Sequence, residues 1–295
     1  MCLILKCNIT IMGKYFRPMV LTIFYSFSVV LAGLVVTLFL FIFRSDELFF
    51  AESGKVNVDK VGDLVTPFVP IMSVATGLLT LGLARVMRMT DFKGAFDCKN
   101  INWRTAWIPI TGTLLLILII GYSFEHIFMI PDKTSFIVEQ SEYGVIDIIV
   151  LILLCFISPV FEELLFREAN LKFMLSNGCT KTQAIIASAI FFAFVRVKPA
   201  SMLTEFFAGI VFAIIYIKTR SVVLTSIISI IINSYSVMSD VFEANYGLNL
   251  DLPRYFYVVL VLLLIYPAYL LLRYYWNESL PSEKKAELEK VRKQA

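Results

Sequence analysis

Long apolar runs separated by short charged segments set the pattern of this chain. Eight runs stand out, at residues 19–43, 64–86, 107–129, 143–165, 182–197, 203–218, 222–238 and 255–274. A helix crossing about 30 Å of hydrocarbon needs about 20 mainly apolar residues. The runs therefore predict an all-α polytopic membrane protein with about eight transmembrane helices. The fifth to seventh runs are short and carry polar side chains. Segments of that kind face protein rather than lipid, so these three predict an inner group inside a greasier shell. Residues 1–11 predict no element, which leaves Met12 as an alternative start. The first run is too long for a signal peptide and lacks a small-residue cleavage site.

Composition points the same way. Of the 295 residues, 59% are hydrophobic and 17% charged, against about 45–50% and about 25% in soluble domains. Too few polar side chains are present to cover a globule in water. A net charge of +3 is too weak to suggest a nucleic-acid partner. The five cysteines, Cys2, Cys7, Cys98, Cys155 and Cys179, contain no C-x-x-C pair and predict neither a disulfide framework nor a zinc site. Cys155 reads as a small core residue. No motif calls for a metal or an organic cofactor.

Lysine and arginine give the orientation. Of 26, 19 fall on alternate connections: the N-terminal segment, 85–104, 167–181, 218–220 and the C-terminal tail. The positive-inside rule makes that side cytoplasmic, with both termini on it. Ser282–Ala295 reads as a short solvated helix. Trp103, Trp107 and Trp276 sit where interfacial anchors belong. The chain divides into a three-helix membrane region (1–140), a motif-bearing core (141–240), and a last span with its charged tail (241–295). It shows no solenoid period and no inverted repeat, which argues against a repeat-built transporter.

Candidate chemistry starts where the fourth run ends, in Ser158-Pro159-Val160-Phe161-Glu162-Glu163-Leu164-Leu165-Phe166-Arg167. Adjacent carboxylates there are costly unless paired or hydrated. Glu163 and Arg167 are four apart, in the favourable order for a helical pair. Glu162 points about 100° away and is free to act on something else, such as water. The competing reading is a helix end breaking out into the cytoplasmic interface. Further along stand Phe192-Ala193-Phe194-Val195-Arg196, a Gly209 to Ser221 stretch containing Ala213, Tyr216, Lys218 and Thr219, and then Ser229 to Asn233.

In this order the motifs resemble the CPBP family of intramembrane proteins, which includes the CAAX prenyl proteases and bacteriocin-processing or immunity proteins. That family shows E-E-x-x-x-R on one helix, F-x-x-x-H on the next, and G-x-x-x-G/A-x-x-Y-x-R/K-T after it. H-x-x-x-N/D closes the set. Glu162, Glu163 and Arg167 fit the first motif and Phe192 the second. Gly209, Ala213, Tyr216, Lys218 and Thr219 fit the third, and Asn233 the fourth. The match covers about residues 145–240 and implies a CAAX-protease-like bundle. Where the two histidines belong, this chain has Arg196 and Ser229. His126, the single histidine, lies beside Glu125 at the outer end of the third run.

The resemblance implies that in active members a glutamate activates water while the histidines and the asparagine hold it and stabilise the oxyanion. Arginine stays protonated and cannot serve as general base, and serine loses the ring nitrogen and its reach. Two arrangements are open for Arg196: an ion pair with Glu162 or Glu163 that fills the water site, or snorkelling to the outer interface with Lys198. Position along the runs favours the second. Ser229 and Asn233 share a helix face and line the interior or join two helices. Gly209 and Ala213 suit a close helix contact. Glu205 and Asp147 lie near the outer face, where interface hydration suffices.

The first functional reading is a catalytically impaired CPBP-type protein of the bacterial plasma membrane. It acts by binding another membrane protein or peptide, as in bacteriocin immunity or regulation of a sensor kinase or cell-wall enzyme. The second is an active intramembrane glutamic-type endopeptidase in which Glu162 activates water and Asn233 and Arg196 supply the oxyanion donors. A small transporter is the third.

Overall fold

Helix is the cheapest way for so apolar a chain to satisfy its backbone, and every regular element among the described residues is helical. The structure is a computed structural model that describes residues 2–43, 68–122, 149, 151–196, 199–246 and 254–278. Eight helices follow in order: α1 (Cys2–Phe43), α2 (Val69–Val86), α3 (Trp107–Tyr122), α4 (153–176), α5 (Lys181–Phe194), α6 (Pro199–Thr219), α7 (Val223–Tyr246) and α8 (Arg254–Glu278). Glu125, His126, Asp147, Lys198 and the tail Ser282–Ala295 lie outside the described residues.

Three expectations change. The backbone of α1 is helical from Cys2, so residues 2–11 do not stand apart from the first run. The fourth run does not stop at 165: α4 continues to Ser176, and Arg167 and Lys172 are helical rather than loop residues. The inner group is also different. α6 and α7 have 21 and 24 residues, whereas α4, assigned to the shell, is the innermost helix. It packs on α1, α2, α5, α6 and α7, and every residue from Glu162 to Leu171 is buried. Its charged side chains explain this, because they need protein partners that lipid cannot provide.

Among the described residues, two helices are long and apolar enough to cross a membrane by themselves, over Gly13–Phe39 of α1 and Met202–Thr219 of α6. Five other helices carry shorter apolar stretches among the described residues; α5, at 14 residues, spans only about 21 Å. Along α1, Phe16, Ile23, Phe27, Val30 and Leu34 are exposed, as suits a face toward lipid.

α4 is not uniformly α-helical. π-helical stretches at Leu153–Ile157 and Leu164–Leu171 flank an α-helical turn at Ser158–Glu163. Pro159 has no N–H to offer the carbonyl four residues back, and the Ser158 N–H bonds Leu153 O, five residues back. The double carboxylate thus sits between two widened stretches of helix.

The turn between α4 and α5 is tightly specified. Gly178 takes φ +79°, and the Cys179 N–H returns to Met174 O at 3.0 Å. Thr180 then caps α5 in a reciprocal box with Gln183. The two helices run back antiparallel. α5 and α6 approach closely because position 209 is glycine: a Cβ there would lie 2.9 Å from Ala189 Cα and 3.1 Å from Ala189 Cβ. We expect Gly209→Ala to cost about 1–3 kcal/mol by overpacking, read as a lower midpoint in thermal unfolding of the detergent-solubilised protein. An unchanged midpoint would contradict this contact.

The basic connections meet at one end of the bundle. Arg17 Nη1 donates to Met87 O at 2.9 Å and Lys14 Nζ to Gly178 O at 3.0 Å. Ser221 Oγ and the Val222 N–H both reach Ala95 O, at 3.3 and 2.8 Å. The N-terminal segment, the 87–106 connection, the α4–α5 turn and the α6–α7 turn therefore share one end.

Candidate active site

Two ion-pair systems lie back to back on α4. Arg167 Nε sits 3.2 Å from Glu163 Oε2, and both side chains are 0% exposed. Arg167 Nη1 also donates to Ser188 Oγ at 3.0 Å, and Ser188 Oγ donates in turn to Phe166 O at 3.1 Å. The guanidinium lies 4.8 Å from the Phe192 ring centroid and 5.6 Å from that of Phe212. Among the described residues, Glu163 Oε1 and Arg167 Nη2 have no hydrogen-bond partner. The predicted Glu163–Arg167 pair forms. Its surroundings are protein core, not the interface that a helix end breaking out would require.

Glu162 points to the other side, where Arg196 Nη2 approaches Glu162 Oε2 at 3.1 Å and Glu205 Oε1 at 2.9 Å. Arg196 Nε makes a second contact with Glu205 Oε1 at 3.1 Å. One guanidinium therefore holds two carboxylates from two other helices. Position along the runs had placed Arg196 and Glu162 at opposite ends of their helices. The hairpin removes that objection: Glu162 lies fourteen residues before the end of α4 at Ser176, and Arg196 fifteen residues after the start of α5 at Lys181. Nearly equal distances from one tight turn bring them to the same depth. The Phe192 ring separates the two cations, with Arg196 6.0 Å from its centroid. Ser158, one turn before Glu162, shares a hydrogen bond of 2.9 Å with Ser73 of α2.

Ser229 and Asn233 are not drawn into this cluster. Asn233 Nδ2 donates to Ser229 O of its own helix at 2.9 Å, and Ser229 is buried. Thr225 faces Glu163 and Ser234 faces Cys155, so α7 runs antiparallel to α4. That register sets Asn233 beside residues 155–156, about 10 Å along the axis from Glu162 at helical rise.

Two contributors escaped the sequence reading. Glu205 looked like an interfacial acid, yet it completes the clasp on Arg196. Its signal was an acid opening the next helix nine residues after an arginine at a motif position. Glu168 is the other. It is 1% exposed, accepts from Tyr216 Oη at 2.6 Å and Thr90 Oγ1 at 3.3 Å, and pairs with Lys172. The Glu168–Lys172 spacing of four was available as a clue. Tyr216, a motif position, thus ties α6 to α4. Thr219 Oγ1 accepts from the Ser221 N–H at 3.3 Å, which shapes the turn after α6.

The elements that build this site lie in one stretch of chain. Residues 144–235 match a family model described as type II CAAX prenyl endopeptidase Rce1-like. The stretch is similar to the CPBP family. No curated protein and no solved structure gives a significant match. The Rce1-like segment covers a little under a third of the chain. It holds Glu162, Glu163, Arg167, Arg196, Glu205, Ser229 and Asn233. α1, α2, α3 and α8 lie outside the matched stretch and pack around it. Within the Rce1-like segment, the chemistry at Glu162 is that of a carboxylate held by a guanidinium. Arg196 supplies positive charge and N–H donors and cannot take a proton from water at neutral pH.

Proposed function

We propose that this protein is an eight-span member of the bacterial plasma membrane, with both termini cytoplasmic, that acts by binding rather than by hydrolysis. The observation that carries the reading is the clasp of Arg196 on Glu162 and Glu205. It occupies the place where a water-activating glutamate would need a free oxygen and a proton acceptor beside it. The surrounding polar helices then serve to hold a membrane partner, in a role such as bacteriocin immunity or control of a sensor kinase or cell-wall enzyme. The gathering of basic connections at one end supports the orientation, since alternate loops of a multi-pass chain meet on one side.

The test is cleavage in proteoliposomes, using a panel of transmembrane peptides and a prenylated CAAX peptide. Wild type is expected to match Glu162→Ala at background, while Arg196→His with Ser229→His gains turnover. Cleavage by wild type that Glu162→Ala abolishes would overturn the proposal. The alternative, an active glutamic-type endopeptidase, draws on the partly open edge of the clasp: Arg196 and Glu205 side chains are 31% and 25% exposed. The Arg196 N–H donors would face an incoming oxyanion.

A further inference from the structure

The bundle end that collects the basic connections also holds a half-open cavity of about 320 Å³ between α1 and the end of α4. Gly13, Lys14, Phe16, Arg17, Phe173 and Asn177 line it, with no carboxylate among them. Lys14 and Arg17 are held in place by the carbonyls they cap, Gly178 O and Met87 O. The Arg17 guanidinium also rests 5.6 Å from the Phe173 ring centroid. A lysine carries three N–H donors and an arginine five, so each keeps donors beyond the one it spends on its carbonyl. Two positioned cations with spare donors, and no acid among the described lining residues, make an anion site.

The rest of the cavity shows which anion fits. Phe16 is 55% exposed and begins a stripe continued by Met19, Ile23 and Phe27, all exposed. The spacing of three to four residues puts them on one face of α1. The stripe runs from the cationic cavity along the segment Gly13–Phe39, which is long and apolar enough to cross a membrane. A free phosphate has no use for that stripe, whereas an amphiphile matches both parts.

We infer that this cavity binds the headgroup phosphate of an anionic phospholipid. Lys14 and Arg17 donate to its oxygens, and an acyl chain lies along Phe16, Met19 and Ile23. The lipid joins α1, the α2 end and the α4–α5 turn through the two residues that already link them.

Native mass spectrometry of the full chain in a neutral detergent tests this, with phosphatidylglycerol, phosphatidylcholine and inorganic phosphate as probes. Phosphatidylglycerol is expected to bind about tenfold more tightly than phosphatidylcholine, and millimolar inorganic phosphate to displace none of it. At roughly one surface-cation contribution each, Lys14→Met and Arg17→Met should each weaken phosphatidylglycerol about 5-fold, and together on the order of 30-fold. Lys14→Arg should keep wild-type binding. Equal binding of the two lipids by wild type overturns the proposal without any variant, which covers the case where the double variant does not fold. A folded double variant with unchanged phosphatidylglycerol binding also overturns it. Displacement by inorganic phosphate would overturn it as well, in favour of a site for free phosphate.

Discussion

Arg167→Leu is expected to be the most damaging single change in the chain, costing about 4 kcal/mol, because it leaves a buried carboxylate without its cation. Glu163 and Arg167 are both 0% exposed, so no water enters to compensate. The same change strips Ser188 of a partner and removes the cation from the faces of Phe192 and Phe212. A total stability of about 5–15 kcal/mol leaves little reserve against such a loss. Arg167→Lys should recover only part of it, since an ammonium cannot place donors on Glu163 and Ser188 together with the planar fork of arginine. Removing both charges, as Glu163→Leu with Arg167→Leu, should be much milder than either single change, because apolar replacement of a whole buried pair is often close to neutral. Thermal unfolding in detergent micelles, run as a double-mutant cycle, reads all three. A single variant within about 1 kcal/mol of wild type, the ordinary range of point changes, would show that the pair does not hold the core.

The second large effect is expected at Arg196. Arg196→Leu leaves Glu162 and Glu205 facing one another, both now lacking the guanidinium that bridges them at 3.1 and 2.9 Å. The edge of this clasp is partly open, so the cost should sit at the lower end for broken pairs, about 2–3 kcal/mol. Neutralising one acid should offset much of it: Glu205→Gln or Glu162→Gln in the Arg196→Leu background is expected to be more stable than Arg196→Leu alone. The cycle also separates the clasp from snorkelling. If Arg196 only reached toward the interface, Arg196→Leu would be close to neutral and Glu162→Gln would add independently to it. A coupling energy near zero between Arg196 and Glu162 would remove the basis for the proposed loss of hydrolysis.

These two predictions rest on parts of the molecule that differ in how far the chain reveals them. Glu163 and Arg167 are four residues apart on one helix, so their pairing follows from helical periodicity alone. Glu162 and Arg196 are 34 residues apart, and their contact depends on where α4 ends. Reading α4 to 165 puts the two groups at opposite ends of their helices. The turn at Asn177-Gly178, with its left-handed glycine and the Thr180 cap, sets the hairpin about eleven residues later and brings them level. Hydropathy misses this because the extension of α4 is charged. Arg167, Glu168 and Lys172 look like a cytoplasmic loop when counted as solvent-facing residues, yet Arg167 and Glu168 are buried.

The sequence by itself determined the helical class, the Glu163–Arg167 pair and the family likeness of residues 144–235, because each rests on local periodicity or on motif order along the chain. Tertiary structure decided the rest. It made α4 the central helix, drew Glu205 onto Arg196, left Asn233 a turn and more from Glu162, and gathered Lys14 and Arg17 around one cavity. The physical reason is common to all four. A buried charge in an apolar protein must find its partner wherever the fold can supply one, and that partner is set by helix ends and turns rather than by spacing in the chain.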